Sequence, residues 1–239
     1  MHLHTVLSPC GSLEMSPGNI VDKAMDCGLD MVAVTDHNST RQCRVVQQLA
    51  SEKGLYVLCG VEVNTREEVH CLAYFSTPGQ LEVFDHLLYD HLADIPNEPE
   101  RFGDQVVVDC QEQILEQPEK LLLSAVDLGI EQVERKVHEL GGLFVPAHID
   151  RMRNGIIAQL GFIPPDLHCD ALEVSRHTSV ERLIDQYPYL QGYSFLRGSD
   201  AHFPEDIGKG YTCLYTEGLT WREITQAMHG VNQRKMLVR

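Results

Sequence analysis

Histidine and acidic side chains recur in this sequence directly after short apolar runs. His2 and His4 are separated by one residue, so on a strand both side chains point to the same face and can bind one cation together. Asp36 and His37 follow another apolar run, where they offer one direct ligand and one group for acid–base work. Because the chain has 12 histidines, neither pair is informative alone. The two pairs indicate a metal site only if other strand ends carry similar groups.

Three further positions continue the pattern. Glu62 ends the next apolar run, and its two oxygens could bridge two cations, which a histidine does not do. His70 lies in an alternating apolar strand and would by itself be read as a core histidine, whereas His148 follows an apolar strand. Asp200 and His202 again place two ligand types two residues apart. Five strand ends with such groups favour a multinuclear metal site over chance placement.

The elements that must position these groups alternate between helix and strand. Ser16 and Pro17 begin a predicted helix that ends at Cys27-Gly28, and a buried strand follows at 31–34. Further helix and strand pairs are predicted at about 41–53 with 56–61 and at 130–140 with 143–146. This alternation indicates parallel βα units in an α/β fold, a TIM-like (β/α) barrel with its site at the C-terminal ends of the strands. An open doubly wound sheet is the alternative.

Length and composition predict one domain. A chain of 239 residues with 43% hydrophobic residues can bury one sizeable core, and the stretch from Pro78 to about Asp104 is predicted to be an insertion. None of the eight cysteines forms a C-x-x-C pair, so reduced thiols are expected. Neither an apolar run of membrane length nor a leader pattern occurs. These features together predict a cytoplasmic protein.

The charge balance favours a small substrate. Lys and Arg number 19 against 35 Asp and Glu, which gives a net charge of -16 and repels a polyanion over most of the surface. Part of the acidic excess could ligate cations instead of aiding solubility. The expected partner is a small phosphorylated substrate, with long nucleic acid and a membrane disfavoured.

As a set and in this order, these motifs resemble the PHP (polymerase and histidinol phosphatase) superfamily. The matching signatures are His2-Leu3-His4, Thr35-Asp36-His37, Glu62 with His70, Ala147-His148, and Asp200-Ala201-His202. The resemblance implies a distorted seven-stranded barrel that binds two or three divalent ions (Zn, Mn or Fe) and hydrolyses phosphomono- or phosphodiesters. In relatives a strand and an Asp usually precede the H-x-H motif, whereas this chain begins at Met1, so either its start is truncated or its first strand is very short.

The resemblance also implies how the ligands would be shared. One ion would be held by His2, His4, Glu62 and Asp200, and a second by Glu62, His70 and His148. A third would use His37 and His202 together with a residue shortly after the H-x-H motif. Many relatives have His or Asp there, whereas only Cys10 could serve in this chain. A thiolate suits zinc or iron better than manganese or magnesium.

The predicted reaction uses a hydroxide that two metal ions bridged by Glu62 generate for in-line attack on phosphorus. Arg151 and Arg176 are the predicted clamps for the remaining phosphate oxygens. The proton donor to the leaving oxygen is left open among four residues, namely Asp36, His37, His177 and His202. Two alternatives remain at this point, a nuclease-like proofreading domain and a non-catalytic regulatory module that only binds metal.

Overall fold

Short strands alternate with helices along most of the chain in a computed structural model that describes all residues, 1–239. The helices are α1 (Pro17–Asp26), α2 (Cys43–Glu52), α3 (Pro78–His91), α4 (Pro99–Phe102), α5 (Ile130–Glu139), α6 (Ile156–Leu160), α7 (Val180–Gln186) and α8 (Trp221–His229). The strands are β1 (Met31–Val34), β2 (Tyr56–Asn64), β3 (His70–Phe75), β4 (Val107–Val108), β5 (Ile114–Glu116), β6 (Leu143–Pro146), β7 (Leu172–Glu173), β8 (Phe195–Leu196), β9 (Thr212–Tyr215) and β10 (Lys235–Val238). The fold is therefore mixed α/β.

Helix α1 shows how local sequence sets the boundaries of an element. The Ser16 side chain caps the helix by accepting a hydrogen bond from the backbone N–H of Asn19, and Pro17 occupies the first turn. The helix buries Ile20 and its apolar neighbours, and the chain leaves it through Gly28 at a φ of +68°. The boundaries predicted from the sequence are confirmed here.

The main sheet has the order β1, β2, β3, β6, and one of its strands runs against the prediction. β1 and β2 are parallel, but β3 is antiparallel to both β2 and β6. The expectation of parallel βα units throughout is wrong at this point, because residues 65–69 between β2 and β3 are too few for a crossover helix. The hairpin places His70, the first residue of β3, opposite Asn64 at the end of β2. The start of β3 thus lies at the same edge as the ends of its neighbours.

Backbone hydrogen bonds extend beyond the regular strands and tie the N-terminal residues into the fold. Leu3 accepts a hydrogen bond from Thr35 just after β1 and forms a parallel bridge with Ala201 after β8. On the other side, the backbone N–H of Ile149, after β6, donates to the backbone carbonyl of Glu173 in β7. Strand β7 in turn pairs with β8 in parallel. The remaining pairs, β4 with β5 and β9 with β10, form two separate antiparallel ribbons. The segments that carry the candidate ligands are therefore connected to one another by backbone bonds.

The main sheet separates two apolar clusters, and its alternation decides which residues face each one. In β3, Cys71, Ala73 and Phe75 join the larger cluster, whereas Leu72 and Tyr74 join the smaller one. His70 has the same parity as Leu72 and Tyr74, and Glu62 pairs with Leu72 across the hairpin. Both polar side chains therefore lie at one end of the smaller cluster.

The segment from Pro78 to Asp104 begins as a helix and continues as a loop. Thr77 and Gln80 cap α3 reciprocally, and Leu81, Phe84 and Leu88 on its inner face are buried in the larger cluster. Helix α4 occupies four residues after the loop at 95–98. No helix of the chain combines the length and the apolar composition of a membrane span.

Candidate metal centre

Three buried side chains and one partly buried carboxylate converge into a small cage at the edge where the main sheet meets the N-terminal residues. His2 Nε2 lies 3.4 Å from Glu62 Oε2 and 3.3 Å from Asp200 Oδ1, and His4 Nε2 lies 3.3 Å from each of the same two oxygens. The centre of a regular tetrahedron with edges of this length lies about 2.0 Å from each corner, which is the bond length of zinc to imidazole nitrogen. The donor set and its spacing fit a divalent cation.

Unpaired ring nitrogens point to the same conclusion. His2 Nε2, His4 Nε2, His37 Nδ1 and His148 Nδ1 are buried and have no hydrogen-bond partner. A buried polar atom without a partner costs about 1–3 kcal/mol, and such atoms are rare. Metal ligation would satisfy the lone pairs of His2, His4 and His37, whose unpaired nitrogens face the carboxylates, whereas His148 faces Glu62 with its other nitrogen, Nε2.

Glu62 also serves a second group through its other oxygen. Its Oε1 lies 2.9 Å from His70 Nδ1 and 3.1 Å from His148 Nε2, while Oε2 lies 3.3 Å from His37 Nδ1. His37, Glu62 and His70 offer ligand atoms that all lie within 4.8 Å of one another. The side chain is almost fully buried, so both oxygens face this cluster rather than water. The geometry suits the bridging position predicted for Glu62.

A third group contains the cysteine that the sequence suggested. Cys10, His37 and His202, together with His4, present ligand atoms within 4.8 Å of one another. The rings of His4 and His202 stack with centroids 4.2 Å apart, and those of His4 and His37 are 4.5 Å apart. All nine predicted ligands thus lie in one continuous cluster around Glu62.

Burial and charge oppose each other in this cluster. Burial alone would lower the pKa of His4, but the carboxylates of Asp200 and Glu62, each 3.3 Å from its Nε2, raise it to about 9. Burial also opposes ionisation of Glu62, yet nearby imidazoles, His70 foremost, hold its pKa well below the usual value. Burial and the adjacent His4 lower the pKa of His202 to about 4. The carboxylates are therefore ionised, and a cation would replace the protons that His2 and His4 carry.

Two of the predicted ligands have unusual backbone conformations. His148 has a φ of +27° and Asp200 a φ of +48°, values that L-residues rarely adopt. Such strain persists only where the surroundings hold the residue, and it concentrates at functional sites. Both conformations are fixed by hydrogen bonds. The backbone N–H of His148 donates to the Glu173 carboxylate, and that of Asp200 donates to the backbone carbonyl of His2.

Glu173 is a site residue that the sequence did not reveal. Its carboxylate accepts a hydrogen bond from His2 Nδ1 at 2.9 Å and others from the backbone N–H groups of His148 and Gly198. With Nδ1 donating, the Nε2 lone pair of His2 is free for the cage. The only signal in the sequence is an acidic residue within the apolar run Ala171–Val174. Gly198 permits this approach, because a Cβ there would lie 2.4 Å from the Cβ of His2.

We expect Glu173→Gln to weaken metal binding about 10- to 100-fold while the fold survives, the range typical of groups that orient metal ligands. Glutamine has one oxygen for three donors, so its amide would either face His2 Nδ1 as a donor or repel a backbone N–H. Titration of metal-free protein with Zn²⁺ measures the change. Glu181→Gln, at an exposed position in α7, is the control, and equal affinities in the two variants would contradict this role.

Asp36 and Ser8 organise the loop that follows the H-x-H motif. Both carboxylate oxygens of Asp36 are engaged, by Thr5 through its backbone N–H and hydroxyl and by the Ser8 hydroxyl. Ser8 Oγ also lies 3.0 Å from His4 Nδ1 and accepts from the backbone N–H of His37. Asp36 is therefore fully hydrogen-bonded and buried, and its predicted role as a proton donor stays a prediction.

The predicted phosphate clamps lie in different environments. Arg151 Nη1 lies 2.6 Å from Asp200 Oδ2, so its guanidinium is at the rim of the cage. Arg176 pairs with Asp206 at 3.0 Å, and His177 is exposed, with its backbone N–H bonded to Ser175. The structure brings Arg151, but neither Arg176 nor His177, into contact with a candidate ligand.

Comparison with known proteins identifies the family. The family model "PHP domain" matches residues 1–159, and "PHP-associated" matches residues 190–229. YqxK of Bacillus subtilis (strain 168), described as uncharacterized, is 30% identical over 110 residues, which are 44% of this chain and 28% of YqxK. The chain thus spans less than a third of the length of that relative. The expected single domain with an insertion at about 78–104 stays a prediction.

Three solved structures share the fold. The lesion-specific endonuclease PfuEndoQ from Pyrococcus furiosus superposes with a TM-score of 0.77 at 20% identity, over 99% of this chain and 56% of that one. Endonuclease Q in complex with a 27-mer duplex carrying an abasic lesion gives 0.75 at 19% identity, over 98% and 57%. A protein of Bifidobacterium adolescentis, provisionally described as a metal-dependent phosphoesterase, gives 0.62 at 20% identity, over 94% and 93%. The chain spans little more than half of the two endonuclease chains.

These likenesses correct the expected partners. The net charge of -16 was taken to favour a small phosphorylated substrate over long nucleic acid, and that expectation is wrong, because endonuclease Q, which has this fold, binds a DNA duplex. Net charge sums the whole surface, whereas a phosphodiester meets only the charges near the site, including any bound cations. The motif order, the ligand cluster and a family match over residues 1–159 agree, and the chain belongs to the PHP domain family.

Proposed function

We propose that this chain is a metal-dependent phosphodiesterase that cleaves nucleic acid. The observation that carries the proposal is the continuous cluster of three ligand groups around the buried Glu62. Sites of this kind, in which two or more cations share a carboxylate, are typical of phosphoryl hydrolysis. PHP domains bind divalent metals, and hydrolases are common among them, which supports assignment to this reaction class.

Different residues of the cluster would bind different cations. His2, His4, Glu62 and Asp200 would hold one divalent cation, and Glu62 with His70 and His148 a second. When bound, such cations supply Lewis-acid chemistry, in which they neutralise charge on the phosphate and make water acidic enough to attack phosphorus. Glu173 fixes the ring of His2, and Ser8 fixes that of His4. Because the carboxylates are ionised, the pocket attracts cations, and only the imidazolium protons of His2 and His4 would have to leave when a cation binds.

Arg151 is the group of this chain best placed to hold a phosphate oxygen. Its guanidinium lies against Asp200 Oδ2, on the outward side of the cage, and the side chain is partly exposed. A guanidinium can bind two phosphate oxygens at once, which fixes the orientation of the diester. His202 at the same rim has a pKa lowered to about 4 by burial and by His4, so at neutral pH its ring is uncharged. An uncharged imidazole there keeps one lone pair for a cation and does not repel it.

Nucleic acid is the proposed substrate because a structure with the same fold is known in complex with a DNA duplex. Endonuclease Q is described in complex with a duplex that has an abasic lesion at the active site, and this chain matches its fold over 98% of its own length. At 19% identity the likeness shows the fold alone, so the substrate class is part of the proposal. An abasic site lacks stacking and pairing, which makes the backbone there easier to bring to a buried centre.

We also propose that the strands form the distorted seven-stranded barrel typical of this family. Support comes from backbone bonds that run from residues 2–4 through β1, β2, β3, β6, β7 and β8 and return to residues 2–4 through Ala201. Such a ring would have seven members, with β3 reversed. Its polar end would hold the ligand cluster, and the smaller apolar cluster would fill its interior.

The test is a cleavage assay with the full chain after metal removal and reloading with Zn²⁺, Mn²⁺ or Mg²⁺. The substrates are a labelled DNA duplex with one abasic site, the intact duplex and the single strand. We expect metal-dependent cleavage of at least one of them, abolished by a chelator and restored by the cation. No cleavage of any of the three with any of the cations would contradict the proposal.

A further inference from the structure

A network of ionisable side chains joins α8 to α5, outside the candidate metal centre. His138 in α5 lies between two carboxylates, with Nδ1 2.7 Å from Glu134 Oε1 and Nε2 3.0 Å from Asp170 Oδ2. The other oxygen of Asp170, Oδ1, lies 2.6 Å from Nε2 of His229, the last residue of α8. We infer that these four residues, the His138 network, form a pH-sensitive switch that holds α8 in place while the His138 ring is protonated and loosens α8 when the ring is neutral. Such a switch is independent of the proposed hydrolysis.

The position of the His138 ring calls for a proton on each nitrogen. An ionised carboxylate only accepts hydrogen bonds, so both ring nitrogens have to donate, and only the protonated imidazole has two N–H groups. A neutral ring can therefore donate to Glu134 or to Asp170 but not to both. In either case a nitrogen lone pair faces a carboxylate oxygen at hydrogen-bond distance, which is a repulsive contact. Loss of the proton thus breaks one of the two bonds.

Asp170 passes this change on to α8, because one carboxylate serves all of its partners. Oδ2 accepts the bond from His138 and another from the backbone N–H of Phe144 at 2.7 Å, while Oδ1 faces His229. Phe144 lies in β6, so Asp170 connects both helices to the main sheet. In the fraction of molecules whose neutral His138 ring turns its lone pair toward Asp170, the carboxylate is repelled and its bond with His229 is weakened.

Helix α8 is short enough to depend on such a contact. Three of its nine residues are buried, namely Ile224, Ala227 and Met228, and Ile224 and Met228 belong to the smaller apolar cluster. His229 directly follows Met228, so the bond with Asp170 lies beside this packing. Isolated helices of this length are marginal in water, and contacts with the rest of the fold keep them formed. A weaker bond at the last turn therefore raises the population of molecules in which α8 opens.

The charges set the direction of the pH dependence. The hydrogen bonds with Asp170 and Glu134 raise the pKa of His138 above its usual value, although burial acts in the opposite sense. Burial opposes ionisation of Asp170, but hydrogen bonds, that from His138 foremost, hold its pKa below the usual value. An imidazole whose pKa is raised on folding contributes stability that is fully present below about pH 6.5 and is lost as the pH rises through the raised value. We therefore expect α8 to be held in weakly acidic solution and to loosen as the pH rises above neutral.

Two further titratable side chains face the network. Burial and the nearby charges of Asp170 and Glu134 raise the pKa of Cys169 to about 12, so its thiol keeps its proton in this pH range. His168 Nδ1 lies 3.7 Å from Glu134 Oε1, but the side chain is 83% exposed, and water screens a charge there. Neither group replaces His138 as the ring that two carboxylates share.

The test is hydrogen–deuterium exchange of the full chain in Zn²⁺ at about pH 6 and about pH 8.5, on either side of neutrality. Rates are corrected for the intrinsic pH dependence of exchange and are read from a peptide that covers α8, relative to one that covers α2. We expect the relative protection of α8 to fall by at least about threefold from the lower to the higher pH. His138→Gln should remove most of this fall and keep α8 at the less protected level, because an amide does not titrate.

His86→Gln is the matched control, because His86 is an exposed histidine of α3 that forms no ion pair. Its variant should show the full fall in protection. The ligand cluster titrates equally in both variants, so a difference between them belongs to the His138 network. No fall in the unmodified chain would overturn the inference, and that measurement needs no variant. An equal fall in His138→Gln and His86→Gln would overturn it as well.

Discussion

Replacing Glu62 by glutamine is expected to lower the rate of DNA cleavage by at least about 10³-fold, which corresponds to several kcal/mol of transition-state stabilisation. Glu62 Oε2 lies within 3.4 Å of His2 and His4, while Oε1 lies within 3.1 Å of His70 and His148. Glutamine keeps one oxygen and turns an N–H₂ group toward the other position, where a cation would lie. The substitution also removes the negative charge that Glu62 contributes to two of the ligand groups.

The matched control is Glu68→Gln in the same β2–β3 hairpin. Glu68 is exposed, and we expect its variant to retain the unmodified rate within about twofold, as surface substitutions usually do. Circular dichroism of both variants separates loss of chemistry from loss of fold. A Glu62→Gln protein that is folded and cleaves DNA at the unmodified rate would refute the assignment of this carboxylate to the centre.

The convergence of these candidate ligands could be predicted from the sequence because each signal is local. Thr35-Asp36-His37 follows a run of apolar residues, and Asp200 with His202 comes just after β8, so a period-two pattern and a strand end suffice to locate them. Ser16, Pro17 and Gly28 mark the ends of α1 by the same local rules. Because ligand-type residues follow several predicted strands, the sequence also indicated that they meet at one edge of the fold.

Strand direction could not be predicted in the same way. Alternation in β3 tells which residues share a face, but it is identical for parallel and antiparallel strands, and the turn at 65–69 lacks an Asn-Gly or Asp-Gly pair. The length of the connection was the available signal, because five residues permit a hairpin and exclude a crossover helix. His70 therefore enters the site from the start of its strand.

Contacts that orient the candidate ligands could not be predicted from the sequence, for a different reason. Glu173 meets His2 across 171 residues, and nothing near either residue indicates the contact. Asp36 was considered as a proton donor because it adjoins His37, yet its oxygens hold Thr5 and Ser8. A sequence motif shows which groups are present, whereas only tertiary structure shows which of them still have a free lone pair.

Removal of divalent cations is expected to lower the melting temperature of the folded chain by roughly 5–10 °C. A cation at about 100 times its dissociation constant stabilises the folded state by about 2.7 kcal/mol, and each kcal/mol shifts the midpoint by about 2–4 °C at this chain length. The physical source is specific to the cluster, because without a cation three buried ring nitrogens that face the carboxylates lack hydrogen-bond partners, and ionised carboxylates lie close together. Thermal melts in chelator and in Zn²⁺ measure the difference.

The same melts distinguish a metal bound in the cluster from metal bound at the surface. Glu62→Gln should lose most of the zinc-dependent shift, because it removes a ligand from two groups at once, whereas Glu68→Gln should keep the full shift. Surface carboxylates exchange ions without burying them, so they add little to the free energy of unfolding. If zinc raised the midpoint equally in both variants, its stabilising site would lie elsewhere. If it raised the midpoint in neither the variants nor the unmodified chain, the buried cluster would bind no zinc at all.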